Sequence, residues 1–167
     1  IDGVISVASS KFSDSAGNEN ADGSEDNNSL TLSVDTVRPT IAITSAAASL
    51  KKGETTTVTF TLSEASTDFV FGDISVSGGS LSALTEVSGT EYTATFTPTD
   101  DSTTNGVISV GDTAFSDAAG NTNADGSQAN NTLTLSVDTV RPTIAITSAA
   151  ASLKKGETTT VTFTLSE

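Results

Sequence analysis

The chain has 167 residues, with 21 acidic against 7 basic side chains, a formal net charge of −14, and neither His nor Cys. That balance speaks against a nucleic-acid partner, which needs a basic face, and against an anionic membrane surface. It favours solubility and divalent cations, and the missing cysteine excludes disulfides and thiolate metal sites.

The chain repeats itself. Asp35 recurs as Asp138, Gly3 as Gly106 and Glu64 as Glu167, a constant offset of 103 residues, and residues 30–64 are identical to 133–167. That period is too long for a solenoid and is the size of one small β-sandwich. Both copies of the joint read Ser-Val-Asp-Thr-Val-Arg-Pro-Thr-Ile-Ala-Ile-Thr, at 33–44 and 136–147. Proline removes a backbone donor and pushes the residue before it towards an extended conformation. The joint is therefore expected to be short, stiff and extended. Residues 1–35 read as the C-terminal half of a preceding repeat. Residues 36–138 read as one complete repeat, and 139–167 as the N-terminal part of a following one.

Taken in order, residues 40–44 alternate apolar and polar, as a half-buried strand does. Residues 45–48 are too few for a helix, and 51–54 form a turn. In the next strand Val58, Phe60 and Leu62 point one way, and Thr57, Thr59 and Thr61 the other. Residues 64–72 form a loop carrying Phe69 and Phe71. A strand over 73–77 puts Ile74 and Val76 inward, Gly78-Gly79 turns, and a further strand covers 80–87. After a turn at 88–90 comes a strand with Tyr92, Ala94 and Phe96. Residues 98–105 form a polar loop. The next strand, 107–110, has room to run on to Phe115. A long Asn/Asp/Gly-rich loop spans 117–131, and the last strand carries Leu133, Leu135 and Val137. Seven short strands with turn signals at this spacing predict an all-β fold of two packed antiparallel sheets. The expected core is Ile43, Phe60, Leu62, Val76, Tyr92, Phe96, Val110 and Leu135, with Phe69 or Phe71 plugging one end.

The joint Asp-Thr-x-x-Pro-Thr-Ile, together with Thr-Phe-Thr-Leu-Ser-Glu, Val-Ser-Gly-Gly, Tyr-Thr-Ala-Thr-Phe-Thr-Pro and Phe-Ser-Asp-Ala-Ala-Gly-Asn, resembles the bacterial Ig-like repeats of giant surface adhesins, of the RTX-adhesin and biofilm-associated (Bap-like) type. The resemblance covers the whole chain. It implies tandem Ig-like sandwiches that act as extenders on the bacterial cell surface. They would hold a distal binding region, whose target the sequence does not name, away from the cell. It also implies Ca²⁺ at or near the junctions, and neighbouring repeats of the same chain as the immediate partners. A subunit of an extracellular filament or sheath, or a sugar-binding Ig-like module, is the alternative.

In that topology the loop after the second strand and the loop before the last strand lie at the end where the first strand enters. This brings together Glu64, Asp68 and Asp73 with Asp117, Asn121, Asn123 and Asp125, and with Asp35 of the joint. Asp138 and Glu167 repeat Asp35 and Glu64. These are hard oxygen ligands of the kind Ca²⁺ takes six to eight of. Residues 117–121 also read as a turn closed by the Asp117 side chain, with Gly120 at positive φ. At the opposite end Asp100, Asp101 and Asn105 offer a second set. Lys51 and Lys52 sit in a turn at the same junction, where they could pair with acids of the following repeat, but exposed pairs contribute little and they read as a surface feature; Arg38 faces either an acid of the preceding repeat or solvent. No Gly-x-Ser-x-Gly or His-based arrangement exists for nucleophilic catalysis. Paired carboxylates could hydrolyse glycosides, but a catalytic site copied into consecutive repeats would be unusual, so no enzyme is expected. No apolar run is long enough to cross a bilayer, and direct membrane insertion is not expected.

Overall fold

A computed structural model describes residues 2–21, 27–125 and 128–167. The chain divides after Val37 into two units. In the first, β1 (Gly3–Ser6) and β2 (Ser29–Leu32) form an antiparallel hairpin. The second holds a two-sheet sandwich followed by another hairpin. Among the described residues there is no α-helix, and no helix is long and apolar enough to cross a membrane.

The sandwich begins with β3 (Ile41–Ser45), β4 (Ser49–Lys51) and β5 (Thr56–Leu62), and continues through β6 (Ile74–Ser77), β7 (Gly79–Leu81) and β8 (Thr85–Ser88). It closes with β9 (Glu91–Pro98), β10 (Gly106–Val110) and β11 (Thr132–Asp138). One sheet runs β3-β5-β9-β7, with β8 also on β9, and the other runs β4-β11-β10-β6. The alternation read from the sequence is the burial pattern. In β5, Val58, Phe60 and Leu62 are buried while Thr57 and Thr61 are exposed. Of the expected core only Val76 is half-buried; the other seven are buried. Phe96 is fully buried, and its ring lies so close to Gly79 and Gly106 that a Cβ at either would sit 2.5 Å from its tip. Glycine at these two positions is therefore a packing requirement.

Three details differ from the sequence reading. Residues 45–51 are a crossover. Ser45 Oγ donates to the Ala47 carbonyl, and Ala47 N–H donates to Thr56 Oγ1. The bend lets the chain leave β5 and pair in parallel with β11, Ser49 opposite Ser136. The stretch read as one strand over 80–87 is two strands, broken where Ser82 exchanges hydrogen bonds with Thr95. The strand over 107–110 ends at Val110 and does not reach Phe115.

After the sandwich, β12 (Ile144–Ser148) and β13 (Val161–Leu165) pair with the register of β3 and β5: Ile144 faces Leu165 as Ile41 faces Leu62. Burial does not follow. Phe163 is 60% exposed, whereas its counterpart Phe60 is 0% exposed. Register is set within a hairpin, but burial needs the opposing sheet.

Candidate functional site

The loop after β5 and the loop between β10 and β11 meet at one end of the sandwich. Ser66 forms an isolated β-bridge with Asp117. Phe69 fills the space beneath them, with its ring 6.0 Å from Phe60, 5.1 Å from Tyr92 and 5.3 Å from Phe115. Tyr92 sends its hydroxyl to the Ser66 carbonyl at 3.2 Å. Phe69 is thus the plug, and Phe71 stays 46% exposed. It lines a groove of about 580 Å³ with Val70, Ala83, Leu84 and Glu86.

Asp117 is buried and anchors the expected turn. Its Oδ1 accepts the N–H groups of Ala119 (2.8 Å) and Asn121 (2.9 Å), and its Oδ2 accepts the Asn121 side-chain amide at 2.9 Å. Gly120 has φ +90°, a conformation Gly adopts without steric cost. A carboxylate has about four acceptor positions, so this turn leaves one open. Asp14 builds the same turn with Ala16 and Asn18 in the first unit, so the five residues 14–18 carry all of its hydrogen bonds.

Asp68 ties the two loops together. It accepts Ser66 Oγ (2.8 Å), Ser116 N–H (2.8 Å) and Ser116 Oγ. Asp73 is used locally, accepting Val70 N–H at 2.8 Å. Asp125 lies at the start of β3, where its Oδ1 accepts Ile41 N–H at 2.8 Å. Its Oδ2 is buried without a hydrogen-bond partner among the described residues. Asp112 receives the Asp125 N–H at 3.0 Å. Glu64 is half-buried directly after β5. Asp35 and Asp138 each accept the N–H of the valine two residues on, Val37 (3.0 Å) and Val140 (3.1 Å). Glu167 is exposed just beyond β13.

Asn123 has a different role from the one its oxygen suggested. It is fully buried, its Oδ1 accepts the N–H groups of Ala114 and Phe115, and its amide donates to the Gly111 carbonyl. Asn20 makes the same three bonds to Lys11, Phe12 and Ala8. The repeated spacing Phe-Ser-Asp-x-Ala-Gly-Asn-x-Asn was the available signal for this arch. Three cations are also re-assigned. Arg38 bonds within its own sandwich, Nε to the Thr122 carbonyl and Nη2 to Thr122 Oγ1, both at 2.7 Å. Lys52 meets Asp101 at 2.7 Å and Asp100 at 3.6 Å, again in the same sandwich. Lys51 pairs with Glu54.

These bonds act on the carboxyls. The Ser116 hydroxyl and N–H hold Asp68 below the usual carboxylate range, against desolvation. The Asn121 side chain does the same for Asp117, with desolvation opposing and backbone N–H groups adding to it. A carboxyl depressed in the folded state contributes stability above its unfolded pKa of about 3.9. That contribution is lost as pH falls below this value, through the folded one. We therefore expect the urea midpoint to hold from about pH 7 to pH 5 and to drop below about pH 4. Asp117→Asn should flatten the acid limb; a variant whose midpoint falls in parallel with the parent would remove Asp117 from this account.

The comparison with curated proteins returned no match. The family model described as bacterial Ig-like domain matches residues 35–134 and again 138–167. The two-sheet strand order, the aliphatic and Phe core, and a match over most of the chain agree: the chain belongs to the bacterial Ig-like domain family.

Proposed function

We propose that the chain is an extender segment of a large bacterial surface adhesin, built from 103-residue repeats and stiffened by Ca²⁺. The observation that carries this reading is the repetition itself. The joint and both strands after it recur residue for residue, and the Asp14 and Asp117 turns are built alike. Domains of this family are typically non-catalytic modules of surface proteins, which fits the absence of a nucleophile–base pair in the sequence. In this frame the uncovered hairpins β1-β2 and β12-β13 belong to the C-terminal half of a preceding repeat and the N-terminal part of a following one, whose apolar faces the rest of those repeats would cover. The sugar-binding alternative has less support. Phe69 belongs to the core, and the groove beside Phe71 is lined by Phe69, Tyr92, three aliphatic side chains and Glu86; the Tyr92 hydroxyl is already given to the Ser66 carbonyl, which leaves few groups to orient sugar hydroxyls.

For the ion, hydrogen-bond accounting narrows the candidates. Asp68, like Asp117, accepts three bonds, but all of them come from the serines that tie the two loops together, and Asp73 and Asn121 serve turns. Asp117 keeps an acceptor position and stays ionised; Glu64 lies near it along the chain from Ser66; Asp125 carries a buried oxygen in need of a partner. We assign Ca²⁺ to Glu64 and Asp117. Asp35 of the joint is added on its sequence pattern, and Asp138 and Glu167 serve the following repeat. Hard carboxylate oxygens suit this cation, and it would neutralise like charges that otherwise repel.

Extracellular Ca²⁺ modules bind at about 10⁻⁴–10⁻³ M, so millimolar Ca²⁺ would add roughly 0.4–1.4 kcal/mol per site by mass action. A multi-repeat array should melt at a lower temperature, and show a smaller maximum dimension by small-angle scattering, when Ca²⁺ is replaced by excess chelator. Values unchanged by chelation would remove calcium from the proposal. A maximum dimension that fails to grow with repeat number would remove the extender.

A further inference from the structure

We propose that each joint of the array pivots on a single residue, Val37 or Val140, because the residues on either side of it are hydrogen-bonded into the domain they flank. The inference rests on the extender reading and adds a restraint that is independent of any ion.

The outgoing side is seen at Thr139. This joint residue is 1% exposed. Its N–H donates to the Ser102 carbonyl at 2.9 Å, and its hydroxyl accepts Ser102 N–H at 2.9 Å while donating to the Thr99 carbonyl at 2.7 Å. Three bonds in a buried position fasten the end of β11 to the loop after β9. A buried hydroxyl that both donates and accepts is costly to displace, because each partner would be left unsatisfied.

The incoming side is seen at Arg38. Its guanidinium grips Thr122 through two bonds of 2.7 Å, a planar fork held at two points. Pro39 is buried and accepts Ala124 N–H at 3.0 Å. Thr40 N–H donates to Ser63 Oγ, and Ile41 N–H donates to Asp125. The second copy repeats what its residues allow, with Thr143 N–H on Ser166 Oγ at 2.9 Å and Ser166 N–H on the Thr143 carbonyl at 3.0 Å.

Because residues 30–64 and 133–167 are identical, Thr36 stands where Thr139 does, and Arg141 stands where Arg38 does. Between the two clamps lies one residue. Val140 is exposed, and so is Val37. Each donates its N–H to the aspartate two residues back. One residue carries two soft torsions; a linker of three or four free residues would carry six or eight. Ca²⁺ held by Asp35 or Asp138 would then act on a hinge that is already narrow.

The absence of cysteine makes spin labelling direct. In a tandem of the 103-residue unit, labels at Thr61→Cys in each copy report inter-domain distances by pulsed electron resonance, in excess chelator. Releasing both clamps with Thr139→Val and Arg141→Ala raises the free residues from one to about three. The width of the distribution should then grow about 1.7-fold, following the square root of free length. Val140→Gly, an exposed change that leaves both clamps and the core intact, should widen it on its own. Far-ultraviolet circular dichroism checks that each variant stays folded. A parent distribution in chelator as wide as that of the double variant would overturn the single-residue pivot, and so would an unaltered width in Val140→Gly. Loss of the calcium reading shows separately, as a parent distribution that ignores Ca²⁺.

Discussion

Phe60→Ala is expected to destabilise the sandwich by roughly 3–5 kcal/mol, the cost of a large aromatic cavity that its surroundings fill only in part. Phe60 is fully buried at the middle of β5. It pairs with Ile43 on one side and Tyr92 on the other, and its ring abuts the Phe69 plug. Removing it empties the space between the sheets and loosens the residue that supports the end carrying Asp117. Thr59→Ala, one residue away on the opposite face, should cost under about 1 kcal/mol. Thr59 is half-buried between Thr44 and Thr93, so it loses a small methyl and hydroxyl contact and leaves no cavity. Urea unfolding of the two variants decides the matter. Equal losses would contradict the two-residue period on which this strand was identified.

That period explains how much of the fold could be read in advance. Strands whose apolar residues alternate, such as β5 and β9, declare both their type and their inward face. The crossover at Ser49–Lys51 could not be read, because β4 is three residues long and holds one buried side chain, Leu50. Its parallel pairing to β11 depends on a residue more than eighty positions away. The split between β7 and β8 was hidden for a similar reason: Ser82 breaks the strand by bonding to Thr95 of the neighbouring strand.

The candidate site shows the same division. The turn from Asp117 to Asn121 was legible, since an Asp with a following Gly and Asn within four residues closes on itself. The fates of Asp68, Arg38 and Lys52 were not. Each finds its partner across 48, 84 and 49 residues respectively, and composition carries no trace of such pairings. A cluster of oxygens in sequence therefore overstates the ligands available, because several are already accepting N–H and O–H bonds. Asn123 is the clearest case, and it supplies the second large effect.

Asn123→Ala should cost about 2–4 kcal/mol, chiefly by leaving buried groups without partners. The side chain satisfies two donors, Ala114 N–H at 2.7 Å and Phe115 N–H at 3.1 Å, and one acceptor, the Gly111 carbonyl at 2.9 Å. Phe115 is itself part of the core and touches the Phe69 ring. Thr113, at the apex of the arch, has φ +61°, which is strained for a β-branched residue. Its N–H donates to the backbone carbonyl of Asn123 at 2.9 Å, a bond that the Ala variant keeps, so the side-chain bonds to Ala114, Phe115 and Gly111 are what truncation removes. Truncation should thus speed amide exchange at Ala114 and Phe115 and loosen the Asp117 turn that follows them. Asn130→Ala supplies the contrast. Asn130 is exposed, and its side chain makes one weak bond of 3.3 Å, to Gln128. Its loss should stay within about 0.5 kcal/mol. The counterpart Asn20 makes the same three bonds in a half-buried position, where water can replace part of what is lost, so Asn20→Ala should change less than Asn123→Ala. Urea midpoints of the three variants, with exchange rates at Ala114 and Phe115, make the measurement. An Asn123→Ala loss no larger than that of Asn130→Ala would mean that the arch holds itself, and that Asp117 owes its position to the Ser66 bridge alone.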